Sequence, residues 1–164
     1  MRIPVRALAI GAIALSFSAL LYSRAQAGSD HYFPPVKDPL TLQECGSCHL
    51  AYPASMLPTA SWKRMMADLQ NHFGDDASVD AETAAAIARY LVANAGDTGG
   101  ARYGRKLLRD VRANEAPLRI TELPRWLHEH DEVSQREWTS KEVGSKANCG
   151  ACHIDADKGY FDDD

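Results

Sequence analysis

Every cysteine of the chain, four in 164 residues, falls in one of two copies of a single word: Cys45-Gly46-Ser47-Cys48-His49 and Cys149-Gly150-Ala151-Cys152-His153. That repetition constrains the chain more than any other feature. Two Cys-x-x-Cys pairs suit a Cys₄ zinc site when they lie about 12–20 residues apart, whereas Cys45 and Cys149 are 104 positions apart. Zinc also has no use for a histidine directly after each pair. A disulfide within either pair would close a very small loop. A thioredoxin-like redox pair belongs beside a βαβ unit, and no strand pattern flanks either word. The word fits covalent haem attachment. Two thiols three positions apart sit on one helical turn and can each add to one of the two vinyl groups of a haem. The adjacent histidine then meets the iron from the same side, so five residues provide two anchors and a proximal ligand. Two copies imply two covalently bound haem c groups, on Cys45 and Cys48 and on Cys149 and Cys152, with His49 and His153 as proximal iron ligands.

The N-terminus reads as an export signal. Arg2 and Arg6 precede an apolar stretch over residues 7–21, and Ala25-Gln26-Ala27 follows as a small-x-small cleavage site. The apolar stretch of 15 residues is short against the roughly 20 that a membrane-spanning helix needs. Retention as an uncleaved anchor is the competing reading. Cleavage after Ala27 would remove three arginines and no acid, taking the formal charge from −4 to −7. That sign argues against nucleic acid or anionic lipid as a partner and favours basic protein surfaces. The mature chain is sparse in Leu, Ile, Val and Phe, so two cores built from side chains alone would be thin. A haem macrocycle in each would fill the deficit.

Four histidines remain for the distal positions: His31, His72, His128 and His130. Met56, Met65 and Met66 lie in the first half and no methionine lies in the second, so a thioether ligand is at hand for the first haem only. The spacing predicts a helix over residues 59–74, started by Thr59 or Ser61 and stopped by Gly74. Trp62, Met65, Leu69 and His72 would then share one face, with His72 entering a haem pocket. The bland reading of His72 is a surface imidazole near a helix C-terminus. In the second half, Thr121 and Pro124 predict a short helix to about Asp131. Trp126 and His130, four apart, share a face there, and His128 points away and competes with His130 for the iron. His31 reads as an exposed histidine on a flexible lead-in.

Further helices are expected from about Ser78 or Asp80 to Ala95, and along Tyr103, Leu107, Leu108 and Val111 up to Pro117. Another should start at the capping box Ser134-x-x-Glu137. Asp97-Thr98-Gly99-Gly100 reads as a linker. The expected architecture is therefore all-α: two small haem-binding lobes, cytochrome c-like, with long loops. Residues 1–27 would be the signal peptide, 28–98 the N-terminal haem c domain and 99–164 the C-terminal one. The attachment word precedes the distal histidine in the first half and follows it in the second, so the halves are no simple repeat.

Beyond the haem words, the chain carries Met56-Leu57-Pro58, Ser61-Trp62, His72-Phe73-Gly74-Asp75-Asp76-Ala77, Arg119-Ile120-Thr121, Trp126, His130-Asp131-Glu132, and Asp155-Ala156 after the second word. Together these resemble the small periplasmic dihaem cytochromes c of proteobacteria, the DHC family, over about residues 42–161. The resemblance implies distal ligands at His72 and His130, and two bis-histidine low-spin haems. It also implies electron exchange with a membrane b-type cytochrome or another soluble c-type haem protein.

With two histidines on each iron no site is open to a substrate, and the expected function is one-electron transfer in the periplasm, without a small-molecule substrate. The alternative is a haem protein with one open iron that binds or reduces oxygen, peroxide or a nitrogen oxide.

Overall fold

The computed structural model describes residues 31–98 and 102–162. The expected signal segment and the Gly99-Gly100 part of the expected linker lie outside them. Among the described residues, six short α-helices are joined by 3-10 turns and long loops, with isolated β-bridges and no strand. The all-α expectation holds.

Helix α1 (Pro39–Cys45) starts where the Asp38 carboxylate accepts the Thr41 N–H at 2.8 Å and Pro39 supplies a preset φ. Its last residue is the first cysteine of the first haem word. Helix α2 (Thr59–Met66) ends at Met66 rather than at the expected Gly74. The Asp68 carboxylate instead accepts the Asn71 side-chain N–H at 2.6 Å, and residues Leu69–Asn71 tighten into a 3-10 turn. Short polar side chains of this kind draw the chain out of helix by bonding locally. Phe73 at φ 56° and Gly74 at φ 111° then reverse the chain. Trp62, Met65, Leu69 and His72 therefore do not form one helical stripe.

Helix α3 (Ala81–Ala93) is capped by Asp80, which accepts the N–H groups of Glu82 and Thr83, each at 3.0 Å. It packs Ile87 and Leu91 against α1 and α2. Helix α4 (Arg102–Leu107) lies on the Ala54–Met56 turn of the first half. That approach needs Gly104, since a Cβ there would come within 2.5 Å of the Ser55 carbonyl oxygen and 2.8 Å of the Gly96 Cα. Helix α5 (Pro124–Glu129) begins with proline at N1, but Thr121 is not its cap: it belongs to the 3-10 turn Ile120–Glu122, and Leu123 stands at the N-cap. Helix α6 (Gln135–Trp138) has the expected Ser134–Glu137 capping box with both reciprocal bonds.

Phe33, Met56, Leu57, Trp62, Ile87, Leu91, Leu107, Leu108, Leu123 and Trp126 form one buried cluster, with members from both halves. The Trp62 indole N–H is satisfied inside it by the Ala54 carbonyl at 2.7 Å. Residues 31–33 are not a loose lead-in: Tyr32 bridges antiparallel to Tyr160, and Phe33 N–H donates to the Gly159 carbonyl at 2.8 Å. Among the described residues no helix is long and apolar enough to cross a membrane.

Candidate functional site

The first haem word leaves the end of α1 through Gly46, whose N–H donates to the Leu42 carbonyl at 2.9 Å. Its histidine, His49, holds its Nδ1 2.7 Å from the Leu50 carbonyl oxygen. With the ring N–H donating there, the Nε2 lone pair is left for a metal. The His72 ring faces it, the two centroids 6.1 Å apart and the planes 17° from parallel. His72 reaches this position from the turn after Asn71, fixed by reciprocal backbone bonds with Asp75 at 2.9 and 3.1 Å. Arg119, from the second half, covers that turn with its guanidinium 4.0 Å over the Phe73 ring. Burial, then the neighbouring His49, lowers the pKa of the His72 imidazole, which favours the neutral form a metal requires.

The second word opens in the 3-10 turn Cys149–Ala151, and the His153 N–H closes it onto the Cys149 carbonyl at 2.9 Å. The His153 Nδ1 lies 3.1 Å from the Asp162 carbonyl oxygen. Facing it is His130, again with 6.1 Å between centroids, at an interplanar angle of 80°. His130 stands at the C-cap of α5, its Nδ1 2.9 Å from the Trp126 carbonyl oxygen and its ring stacked 4.1 Å from the Trp126 indole. The expected shared face of Trp126 and His130 is thus present. His128 is 72% exposed and turned toward Asp131, its Nδ1 3.8 Å from that carboxylate.

These centroid separations match the spacing of two imidazoles that share one iron. An imidazole nitrogen binds a transition metal at about 2.0–2.1 Å and its ring centre lies roughly 1.1 Å further on, giving centroids roughly 6.3 Å apart. Both pairs fit, and each contains the histidine of one attachment word. Among the described residues no three His, Cys, Asp or Glu side chains converge on a bare-ion site, and no two cysteines are joined in a disulfide. The geometry thus gives no support to the zinc and disulfide readings. Burial pushes the Cys45 and Cys149 thiols up from their ordinary value.

The two words also approach each other, which their spacing did not announce. A cleft of about 410 Å³ is lined by Cys48 and His49 on one side and by Cys149 and Ile154 on the other. Tyr52 crosses it. Its ring stacks on His49 at 4.9 Å, and its hydroxyl donates to the Ala147 carbonyl at 2.6 Å, two residues before Cys149. Burial pushes the Tyr52 pKa up to about 12, so the hydroxyl stays a donor at neutral pH.

A family model described as dihaem cytochrome c matches residues 41–161. The chain belongs to the dihaem cytochrome c family. Its solved relatives include the dihaem cytochrome c from Rhodobacter sphaeroides, 50% identical, with TM-score 0.70 over 78% of this chain and 99% of that one. A crystal structure of DHC purified from Rhodobacter sphaeroides is 46% identical, TM-score 0.63, over 77% of this chain and 99% of that one. The dihaem cytochrome c of Shewanella baltica OS155 is 38% identical, TM-score 0.62, over 76% and 86%. No curated protein matches. As a dihaem cytochrome c, this chain carries two haem c groups, and its two Cys-x-x-Cys pairs stand at the places for their attachment.

Proposed function

We propose that this dihaem cytochrome c is a periplasmic one-electron carrier whose irons are each held by two histidines, His49 with His72 and His153 with His130. The observation that carries this is the pair of 6.1 Å imidazole separations, one at each attachment word. Each haem, once bound, supplies an Fe(III)/Fe(II) couple that gains or loses one electron with no change of ligands, and bis-histidine ligation sets it below a Met/His cytochrome. His72 and His130 would hold the two irons together with His49 and His153, and no coordination site would then be left for a substrate. The Trp126 ring and carbonyl fix the orientation of His130, and Arg119 over Phe73 supports the turn that carries His72. Tyr52 joins the two sites by packing on one proximal histidine and bonding to the loop of the other attachment word. Residues 1–27 would direct export. The partners would be a membrane b-type cytochrome or another soluble c-type haem protein.

The test is to mix the reduced, haem-loaded protein with oxidised soluble c-type cytochrome, and separately with peroxide and nitrite, following the haem bands by stopped flow. Stoichiometric transfer of two electrons to the cytochrome, with no catalytic consumption of peroxide or nitrite, is expected. Sustained turnover of either small molecule would replace the carrier reading with that of an enzyme.

A further inference from the structure

The proximal histidines differ in where their hydrogen-bond acceptors come from. His49 uses the carbonyl of the next residue, Leu50, so its orientation is a local matter. His153 uses the carbonyl of Asp162, nine residues on, in the chain's C-terminal tail. Something must hold that tail. Residues 31–33, more than a hundred positions earlier in the sequence, do so. Phe161 N–H donates to the His31 carbonyl at 3.1 Å, and Phe33 N–H donates to the Gly159 carbonyl at 2.8 Å, on either side of the Tyr32–Tyr160 bridge. The rings follow suit: Tyr32 lies 4.9 Å from Tyr160, and Phe33 meets Phe161 edge-on at 5.6 Å. Phe161 in turn packs 5.6 Å from His153. Gly159, at φ 91°, permits the approach, since a Cβ there would collide with the Phe33 carbonyl oxygen. His31 adds a second hold, its Nδ1 3.5 Å from the Asp162 carboxylate and its Nε2 3.8 Å from that of Glu129, the residue before His130.

We propose that residues 31–33 act as a positioning strap for the second haem, fixing the tail whose Asp162 carbonyl accepts the His153 Nδ1–H, and so tuning the reduction potential of that haem alone. The proposal rests on the bis-histidine reading above. An N–H donated to a carbonyl makes the coordinating nitrogen more basic. A more basic ligand favours Fe(III), so the intact strap lowers the second potential. Loosening it weakens the bond and raises that potential. The first haem, whose proximal histidine is oriented by its own neighbour, is the internal control.

The experiment is an optical redox titration of the mature, haem-loaded protein as wild type, His31→Ala and Gly159→Ala. The first removes the contacts to Asp162 and Glu129; the second forces the strap off the tail. The couples are assigned with His72→Met, which should raise the first one, because a thioether ligand raises the potential. Expected is an upward shift of the second couple in both variants, with the first unchanged. Should Gly159→Ala fail to fold, Tyr32→Ala, which removes the ring packed on Tyr160, takes its place beside His31→Ala. Couples that stay put, or move together, in variants with intact low-spin spectra would overturn the strap while leaving the ligand assignment standing. Carbon monoxide binding by the reduced wild type would overturn the ligand assignment itself, and the strap with it.

Discussion

The imidazole planes of His49 and His72 lie 17° apart, whereas those of His130 and His153 lie 80° apart. Parallel axial rings split the two iron d-orbitals that interact with them; crossed rings leave those orbitals nearly degenerate. Electron paramagnetic resonance of the oxidised protein should therefore show two distinct low-spin ferric species in equal amounts. One should be rhombic, from the first haem, and the other strongly anisotropic with a large maximum g, from the second. A single low-spin signal would contradict these geometries. The histidines also sort by substitution. His130→Ala should open the second iron and let the reduced protein bind carbon monoxide at one of its two haems. His128→Ala should leave the spectrum unchanged, because that side chain is exposed and directed at Asp131. Tyr52→Phe removes the bond to the Ala147 carbonyl. It should cost about 0.5–1.5 kcal/mol of stability in denaturant titration and leave both haem spectra intact.

Among the helices, the packing of α4 onto the first half hangs on one small residue. Gly104→Ala must push its Cβ into the Ser55 carbonyl, and overpacking of this kind costs about 1–3 kcal/mol, readable as a lower denaturation midpoint. The helix starts carry a pH dependence. Asp38 and Asp80 accept bonds from the first-turn residues they cap, and Glu137 accepts the N–H and hydroxyl of its N-cap residue Ser134, which holds these carboxyls below the ordinary values of 3.8 and 4.5. Groups depressed in the folded state stabilise fully above those ordinary values and lose that contribution as pH falls through the lower folded ones. Stability measured from pH 7 downward should thus hold to about pH 4.5 and then decline. The Asp80 cap and the Ser134–Glu137 box were legible in the sequence, because a cap is a contact within three or four residues, whereas α1 and its Asp38 cap were not read. The end of α2 was misread for a related reason. Apolar periodicity continues through Leu69, but Asp68 and Asn71 bond to each other and stop the helix at Met66. His72 still faces His49, by way of a turn that helical periodicity does not describe.

Across the whole molecule, what was legible is what the haem words dictate: the cofactor, its number, and an all-α class without strands among the described residues. His72 and His130 were singled out as candidate distal ligands by the family resemblance, and His130 also by its spacing from Trp126. What was not legible joins distant parts of the chain. Tyr52 meets Ala147 across 95 positions, Arg119 covers Phe73, and residues 31–33 lace to the tail at 159–161. No periodicity within one segment records such pairings, so His31 read as a free lead-in although it lies between Glu129 and Asp162. The single buried cluster spanning both halves was hidden likewise, since its members lie far apart in the sequence. The central claim, two irons each closed by two histidines, is tested most directly by the optical spectrum of the reduced, haem-loaded protein before and after carbon monoxide. Two low-spin haems c with no spectral change on adding the gas, and no methionine–iron band when oxidised, is the predicted result. A carbon monoxide adduct at either haem, or a high-spin band before the gas is added, would contradict it.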